Sequence, residues 1–373
     1  MIGTGGHGPA GAFFLAGWGA ANAQVGGVPD GGGSRSGGRG FARWRIALRA
    51  AARHGGGMNR RDFVQTSSVL AAWSVVPGVI QAAAAPGRSV RIALTPGSIG
   101  VNVTSQRELN ALAQRHGFEA VEPRAEELAA MPRAQVAEVA ADVTAKGLTW
   151  AAAGLTVDFR KDDAAFRDGM GKLPKIAAGL QAAGVTRVGT WLAPCHGELT
   201  YRANYRQHVA RLTEVARVLQ DHGLRFGLEY VGTQLSLVGR KFPFVHTMAE
   251  ARELIADLGT GNVGLVLDTW HWWTAGDTVA DLRALTKADV VSVDLNDAPK
   301  DLAKAQQKDN ERELPAATGV IDVAAFLKAL VAIGYDGPAR PEPFNRALNA
   351  LDNDPACAAS VAAMQRAMAL IRG

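Results

Sequence analysis

From Ser89 onward, short apolar runs alternate with longer stretches in which apolar residues recur every three or four positions. The short runs predict strands at Val90–Leu94, Ala120–Glu122, Thr149–Gly154, Arg187–Leu192, Arg225–Tyr230, Val263–Leu267, Val290–Leu295 and Ala339–Glu342. The longer stretches predict helices at Ser105–His116, Pro132–Lys146, Ala164–Ala183, Arg202–His222, Thr247–Leu258, Thr278–Leu285, Val323–Ile333 and Pro355–Ile371. Gly117, Gly147, Gly184, Gly223 and Gly334 stand where a left-handed residue would end a helix. Eight strand–helix pairs with no antiparallel run point to an α/β chain closed as a (β/α)8 TIM barrel. The competing architecture is a doubly wound open sheet. It calls for a glycine-rich phosphate loop after an early strand, and Thr95-Pro96-Gly97-Ser98 is not one.

Composition changes the picture mainly at the N-terminus. Residues 1–57 hold 18 of the 43 glycines and show little apolar periodicity, so they do not read as a domain. They are expected to be a disordered tail or upstream sequence translated from a start codon assigned too early. Met58 then opens Met58-Asn59-Arg60-Arg61-Asp62-Phe63, followed by an apolar run from Val69 to Ile80 and by Ala82-Ala83-Ala84-Ala85-Pro86. That order of charged, apolar and small residues resembles a twin-arginine signal peptide over residues 58–85. It predicts export to the periplasm and a catalytic barrel over residues 86–373, with no membrane association after cleavage. The 1–57 stretch carries six Arg, no Lys and one acid, Asp30, and so accounts for the whole formal net charge of +5. Between Phe63 and Gly373 there are 32 Lys and Arg against 33 Asp and Glu, which removes the support for a nucleic-acid partner. The two cysteines, Cys195 and Cys357, fall at a strand end and in a late helix and are expected to be free thiols.

Candidate chemistry lies at the C-terminal ends of the strands, where barrel active sites form. Glu229, Asp268, Asp294 and Glu342 end the fifth to the eighth predicted strands. Adjacent strand ends share one mouth, and four uncompensated carboxylates there would repel one another strongly. A divalent cation resolves this simply, and an all-oxygen set favours Mn or Mg over Zn. For any single acid the plain alternative is a solvated loop carboxylate or an ion pair with a nearby Arg or Lys. Glu122, ending the second strand, is a substrate-binding candidate. Trp270, Trp272 and Trp273 flank His271; packing is the bland expectation for most of them, with one ring, Trp270, left to wall a sugar face. Trp191 and His196 are weaker versions of that idea, while His246 and Lys241 read as structural and solvated.

Gly227-Leu228-Glu229-Tyr230-Val231-Gly232, Leu267-Asp268-Thr269-Trp270-His271-Trp272 and Glu342-Pro343-Phe344 resemble the sugar phosphate isomerase/epimerase family, the xylose-isomerase-like TIM barrels. The resemblance implies that Glu229, Asp268 and Glu342 bind metal, and that Glu229 and Glu342 double as an acid–base pair around an enediolate. It also implies that His271 contacts a substrate oxygen and that Arg312 binds a hydroxyl or the enediolate. Three departures stand out. The family's His on the seventh strand is Asp294, its Pro-Gly-Glu is Pro315-Ala316-Ala317, and Arg340 and Pro341 occupy the eighth strand.

The expected function is therefore a metal-dependent isomerase or epimerase that abstracts a proton next to the carbonyl of a sugar or keto-sugar. A lyase or hydratase cleaving 3-keto-glycosides by β-elimination would use the same groups. From another class, a non-catalytic sugar-binding or partner subunit would fit decayed motifs such as Asp294 and Ala316-Ala317. An apurinic-site endonuclease is disfavoured by the neutral charge balance and the shortage of His at the mouth. A homo-oligomer is compatible with the sequence.

Overall fold

The computed structural model describes residues 90–372. The stretch 1–57 and the signal peptide expected over 58–85 lie outside the described residues. Eight parallel strands build the barrel: β1 (Arg91–Leu94), β2 (Ala120–Val121), β3 (Thr149–Trp150 and Ala153–Gly154), β4 (Arg187–Trp191), β5 (Arg225–Glu229), β6 (Val263–Asp268), β7 (Val290–Leu295) and β8 (Pro338–Pro341). The first piece of β3 pairs with β2 and the second with β4, so the ring closes through one interrupted strand. On the other side the order runs β4, β5, β6, β7, β8 and back to β1, parallel throughout. The expected (β/α)8 TIM barrel is the observed fold.

All eight expected helices are present with shifted ends, for example Gln106–His116, Tyr201–Asp221 and Asn353–Ala369. The first begins at Ser105, whose side chain accepts the Glu108 N–H, and stops at Gly117, with φ +79°. Four short α-helices among the described residues were not anticipated: Ala125–Ala130, Gln234–Leu237, Arg346–Asn349 and Thr269–Ala275. The last has no apolar period to announce it, since Trp-His-Trp-Trp is bulky all round. Its signal is the Asp268 N-cap. A small antiparallel pair, Cys195–His196 with Phe242–Pro243, also lies outside the expected all-parallel pattern.

The two prolines of β8 do not exclude it from the sheet. The ladder donors come from their neighbours: Arg91 N–H reaches Gly337 O at 3.2 Å, and Glu342 N–H reaches Leu295 O at 2.9 Å. The Pro341 carbonyl accepts the Ser98 hydroxyl at 2.8 Å. The main core lies between strands and helices, where Leu109, Phe326, Leu330 and Met364 pack on Ile92, Leu94 and Val293, all fully buried. Each such side chain contributes about 1.5–3 kcal/mol relative to exposure. Inside the barrel, Ala93, Ala151, Ala153 and Gly189 share one space with Arg340. Small residues on β1 to β4 thus leave the axis open to a guanidinium, where barrels ordinarily stack branched side chains. Cys195 and Cys357 are free thiols, as expected. Among the described residues no helix is long and apolar enough to cross a membrane.

Candidate active site

Sheet register brings the acids together. Asp268 closes β6 and is the register partner of Asp294 on β7, which in turn partners Arg340 on β8. Glu229 closes β5 and Glu342 directly follows β8. One oxygen from each of Glu229, Asp268, Asp294 and Glu342 lies within 4.8 Å of the others, and all four residues are buried. His271 forms an overlapping group with Glu229 and Asp268.

Two arginines enter this cluster. Arg312 Nη1 donates to Asp268 Oδ2 at 2.8 Å and to Glu342 Oε2 at 3.1 Å. Its Nη2 donates to Asp309 Oδ1 at 2.7 Å. Arg340 donates through Nε to Asp294 Oδ1 at 2.6 Å, and through Nη2 to Asp294 Oδ2 at 2.7 Å and Glu342 Oε1 at 2.8 Å. The expectation that a cation alone answers the repulsion is therefore corrected. The two guanidinium charges offset half of the four carboxylates, and a divalent cation would offset the rest. The ion-pair alternative weighed for single acids is met at Asp268, Asp294 and Glu342, each of which bonds to at least one of the two arginines.

Not all acids are equally satisfied. Asp268 caps the helix Thr269–Ala275 through the Trp270 and His271 N–H groups and accepts Asn296 Nδ2 on both oxygens, at 3.1 and 3.0 Å. Burial opposes its ionisation, but Arg312, His271 and these hydrogen bonds outweigh that and hold its carboxyl below the usual range. Asp294 is raised by burial despite Arg340. Glu342 is pushed well above the ordinary carboxylate range by burial and by Asp294 and Asp268, against the pull of both arginines. Glu229 is pushed well up too, by burial and then by Glu342, Asp294 and Asp268. Its Oε1 is buried with no hydrogen-bond partner. A carboxylate oxygen shut off from water with no donor calls for a proton or a cation.

His271 is buried between two donors. The Gly232 N–H points at Nδ1 at 3.3 Å, and Arg312 Nη2 stands 3.2 Å from Nε2. A neutral imidazole accepts at one nitrogen only, so one contact is frustrated. Burial, with Arg312, also lowers its pKa against the pull of Asp268 and Asp309. Gly232 has to be glycine here, because a Cβ would fall 2.5 Å from the His271 carbonyl. Phe344, at φ +41°, puts its ring 4.9 Å from the Arg312 guanidinium.

The remaining expected residues fall at the edge of this arrangement. Trp270 is fully buried, bonded through Nε1 to Thr233 Oγ1 at 3.0 Å, with its ring 5.4 Å from the Arg312 guanidinium. It backs Arg312 and does not lie open as a wall. Glu122 stands just past β2, outside the four-acid cluster, and lines the interior space shared with Arg340. Burial pushes its pKa up to about 7, with Asp294 adding and Arg340 and Arg124 opposing. His196 accepts two backbone N–H groups through Nδ1, from Glu198 and Leu199. His246 accepts none of the substrate-facing roles either: its backbone N–H donates to Glu250 at the helix start. Sequence reasoning missed Asn296, Asp309 and the site role of Arg340. Period-two spacing was the available signal, since Asn296 follows Asp294 and Glu342 follows Arg340 by two residues, which puts each pair on one face.

A family model described as "Xylose isomerase-like TIM barrel" matches residues 111–370. An inosose isomerase from Halalkalibacterium halodurans is 29% identical over 141 residues, 37% of this chain and 46% of that relative. The chain therefore spans about half the length of such curated relatives. A 3-dehydroshikimate dehydratase from Pseudomonas aeruginosa is 28% identical over 134 residues, 36% of this chain and 20% of that protein. Among solved structures, a xylose isomerase domain protein from Alicyclobacillus acidocaldarius superimposes with a TM-score of 0.66 at 30% identity, covering 76% of this chain and 100% of that one. With the barrel, its register and the acids at four successive strand ends already in view, the chain belongs to the xylose isomerase-like TIM barrel family.

Proposed function

We propose that this chain is a divalent-metal-dependent enzyme that removes a proton next to the carbonyl of a sugar or keto-sugar and returns it as an isomerase or epimerase. The observation that carries the reading is the unpartnered, buried Oε1 of Glu229 inside a cluster of four carboxylates whose oxygens lie within 4.8 Å of one another. The oxygen-rich cluster of Glu229, Asp268, Asp294 and Glu342 fits a hard dication lodged among them, Mn or Mg by its oxygen chemistry. Such an ion would polarise the carbonyl and stabilise the negative charge of an enediolate.

The chain's own residues supply the rest. Glu229 and Glu342, both pushed well above the ordinary carboxylate range by burial and by neighbouring carboxylates, are the groups that would remove and return that proton. They arrive from β5 and β8, three positions apart around the ring, so they approach a planar enediolate from different directions. A substrate oxygen placed between Arg312 and His271 would accept from the guanidinium and relieve the frustrated contact at Nε2. Asn296 holds Asp268 ionised and in place. The similarity to an inosose isomerase supports a cyclic or open keto-polyol as substrate.

A second reading, β-elimination from a keto-sugar, is favoured by the similarity to a dehydratase. The same proton is removed first, and the enediolate then expels a β-substituent, so Glu342 or Glu229 would protonate the leaving group. Export by the twin-arginine route is part of the proposal and rests on the sequence of residues 58–85.

The test is a screen of inososes, ketohexoses, 3-keto-glycosides and 3-dehydroshikimate with Mn2+ or Mg2+ in heavy water. Isomerisation places deuterium on the carbon beside the carbonyl, and elimination yields an unsaturated or cleaved product. Glu229→Gln and Glu342→Gln are each expected to lower turnover about 10²–10⁴-fold with little deuterium incorporated. Turnover without any solvent deuterium would replace proton exchange with a shielded transfer or a hydride shift.

A further inference from the structure

The two arginines of the site are held differently. Arg312 lies on an irregular segment next to the isolated bridge between Asp297 and Glu313, and its Nη1 is shared by two carboxylates. Arg340 lies on β8, directly in register with Asp294 on β7. Its Nε and Nη2 engage the two oxygens of Asp294 one to one, at 2.6 and 2.7 Å. The Asp294 side chain has no solvent exposure. A bidentate fork between residues fixed on adjacent strands is a strong, geometrically specific pair. Its guanidinium fits because Ala93, Ala151 and Gly189 leave the barrel interior open.

Asp268 and Glu342 also meet guanidinium groups, but by single bonds, Asp268 through Oδ2 to Arg312 and Glu342 through one oxygen to each arginine. Both oxygens of Asp294, in contrast, are taken up by the one fork of Arg340, so a dication there would have to share each of them with an N–H beside a fixed positive charge. Glu229 presents the opposite case, a buried oxygen with no hydrogen bond, His271 Nε2 standing 3.9 Å away. We propose that Asp294 is the built-in counter-ion of Arg340 and not a metal ligand, so that Glu229, Asp268 and Glu342 hold the cation while the Asp294–Arg340 pair positions Glu342 through its Oε1. This deepens the divalent-cation reading above and rests on it.

The pattern of single and paired substitutions separates a counter-ion from a ligand. Mn2+ binding to the purified full chain is measured by electron paramagnetic resonance in wild type, Asp294→Asn, Arg340→Gln and the Asp294→Asn/Arg340→Gln double variant. In Asp294→Asn the guanidinium charge is left without its partner beside the cation, and affinity is expected to fall about 10–100-fold. Removing both charges restores neutrality, and the double variant is expected to recover Mn2+ affinity to within about threefold of wild type, an additivity failure of the kind paired charges produce. A double variant that loses Mn2+ as severely as Asp294→Asn would overturn the inference and make Asp294 a ligand. If the amide pair does not fold, the apolar pair Asp294→Leu/Arg340→Met carries the same comparison, since buried ion pairs tolerate apolar replacement of both members. A wild-type chain that binds no Mn2+ would instead remove the cation reading itself, an outcome visible before any variant is made.

Discussion

His208 shows how much a single buried ring can contribute to pH dependence. It packs against Phe159 and Phe244, at 5.4 and 4.6 Å between ring centres, and Nδ1 bonds to the Asn204 carbonyl at 2.9 Å. Its Nε2 is buried without a partner. Burial chiefly, with Arg160 and other nearby cations, lowers its pKa from 6.5 to about 4. Above pH 6.5 the ring is neutral in both folded and unfolded chains, and its contribution is fully present. As pH falls towards about 4 the unfolded chain takes up a proton that the folded chain refuses, and stability is lost. The loss is of order 3 kcal/mol across that window. Urea unfolding of His208→Phe beside wild type at several pH values checks it: the stability difference between them should change over that range and level off outside it. Parallel curves would show that the ring is protonated in the fold. The clustered carboxylates sit under the same physics, but their positions were readable as acids at strand ends, while the isolation of Glu229 Oε1 was not.

At the scale of elements, the turn Leu314-Pro315-Ala316-Ala317 is closed by the Ala317 N–H on Leu314 O at 3.0 Å. Proline at its second position and a positive φ at the third make it a type II turn, which favours glycine there. Ala316 instead holds φ +55°. The departure noticed in the sequence is thus a strained backbone position a few residues from Arg312. Ala316→Gly is expected to stabilise the chain by about 1 kcal/mol, because a left-handed Ala costs ~1–2 kcal/mol and glycine's added unfolded freedom takes back part of the gain. Chemical denaturation measures it, and destabilisation would mean that the Ala316 methyl packs better than its strain costs. Strand β6 and the helix after it join at one residue. Asp268 ends the strand, caps the helix and faces the site, so no substitution there alters only one of the three roles.

For the whole molecule, a cation bound only by the folded chain stabilises it by mass action. At a hundredfold excess of Mn2+ over its dissociation constant the gain is about 2.7 kcal/mol. That corresponds to a rise in melting temperature of roughly 5–10 °C for a domain of this size. Differential scanning fluorimetry with Mn2+ and after EDTA should show the rise and its reversal, and Asp268→Asn should show neither. No shift in wild type at millimolar Mn2+ would count against the metal centre. Export is tested in cells: Arg60→Lys with Arg61→Lys should leave the chain in the cytoplasmic fraction. Unchanged periplasmic delivery would end the twin-arginine assignment.

The alternation of short and long apolar periods was sufficient for the barrel, because strand and helix periods differ and the eight repeats admit few closed arrangements. The acids at four strand ends were legible for the same reason, since strand order alone sends consecutive ends to one mouth. What only the tertiary structure decided is how the charge there is shared. Whether Arg340 points into the barrel depends on the register of β8 against β7 and on small side chains contributed by strands far away in the chain. Arg312 reaches Asp268 across 44 positions, and Asn296 reaches it across 28. Ion pairs and hydrogen bonds of that separation leave no periodic trace, so the sequence could show the negative groups and not the cations that hold them.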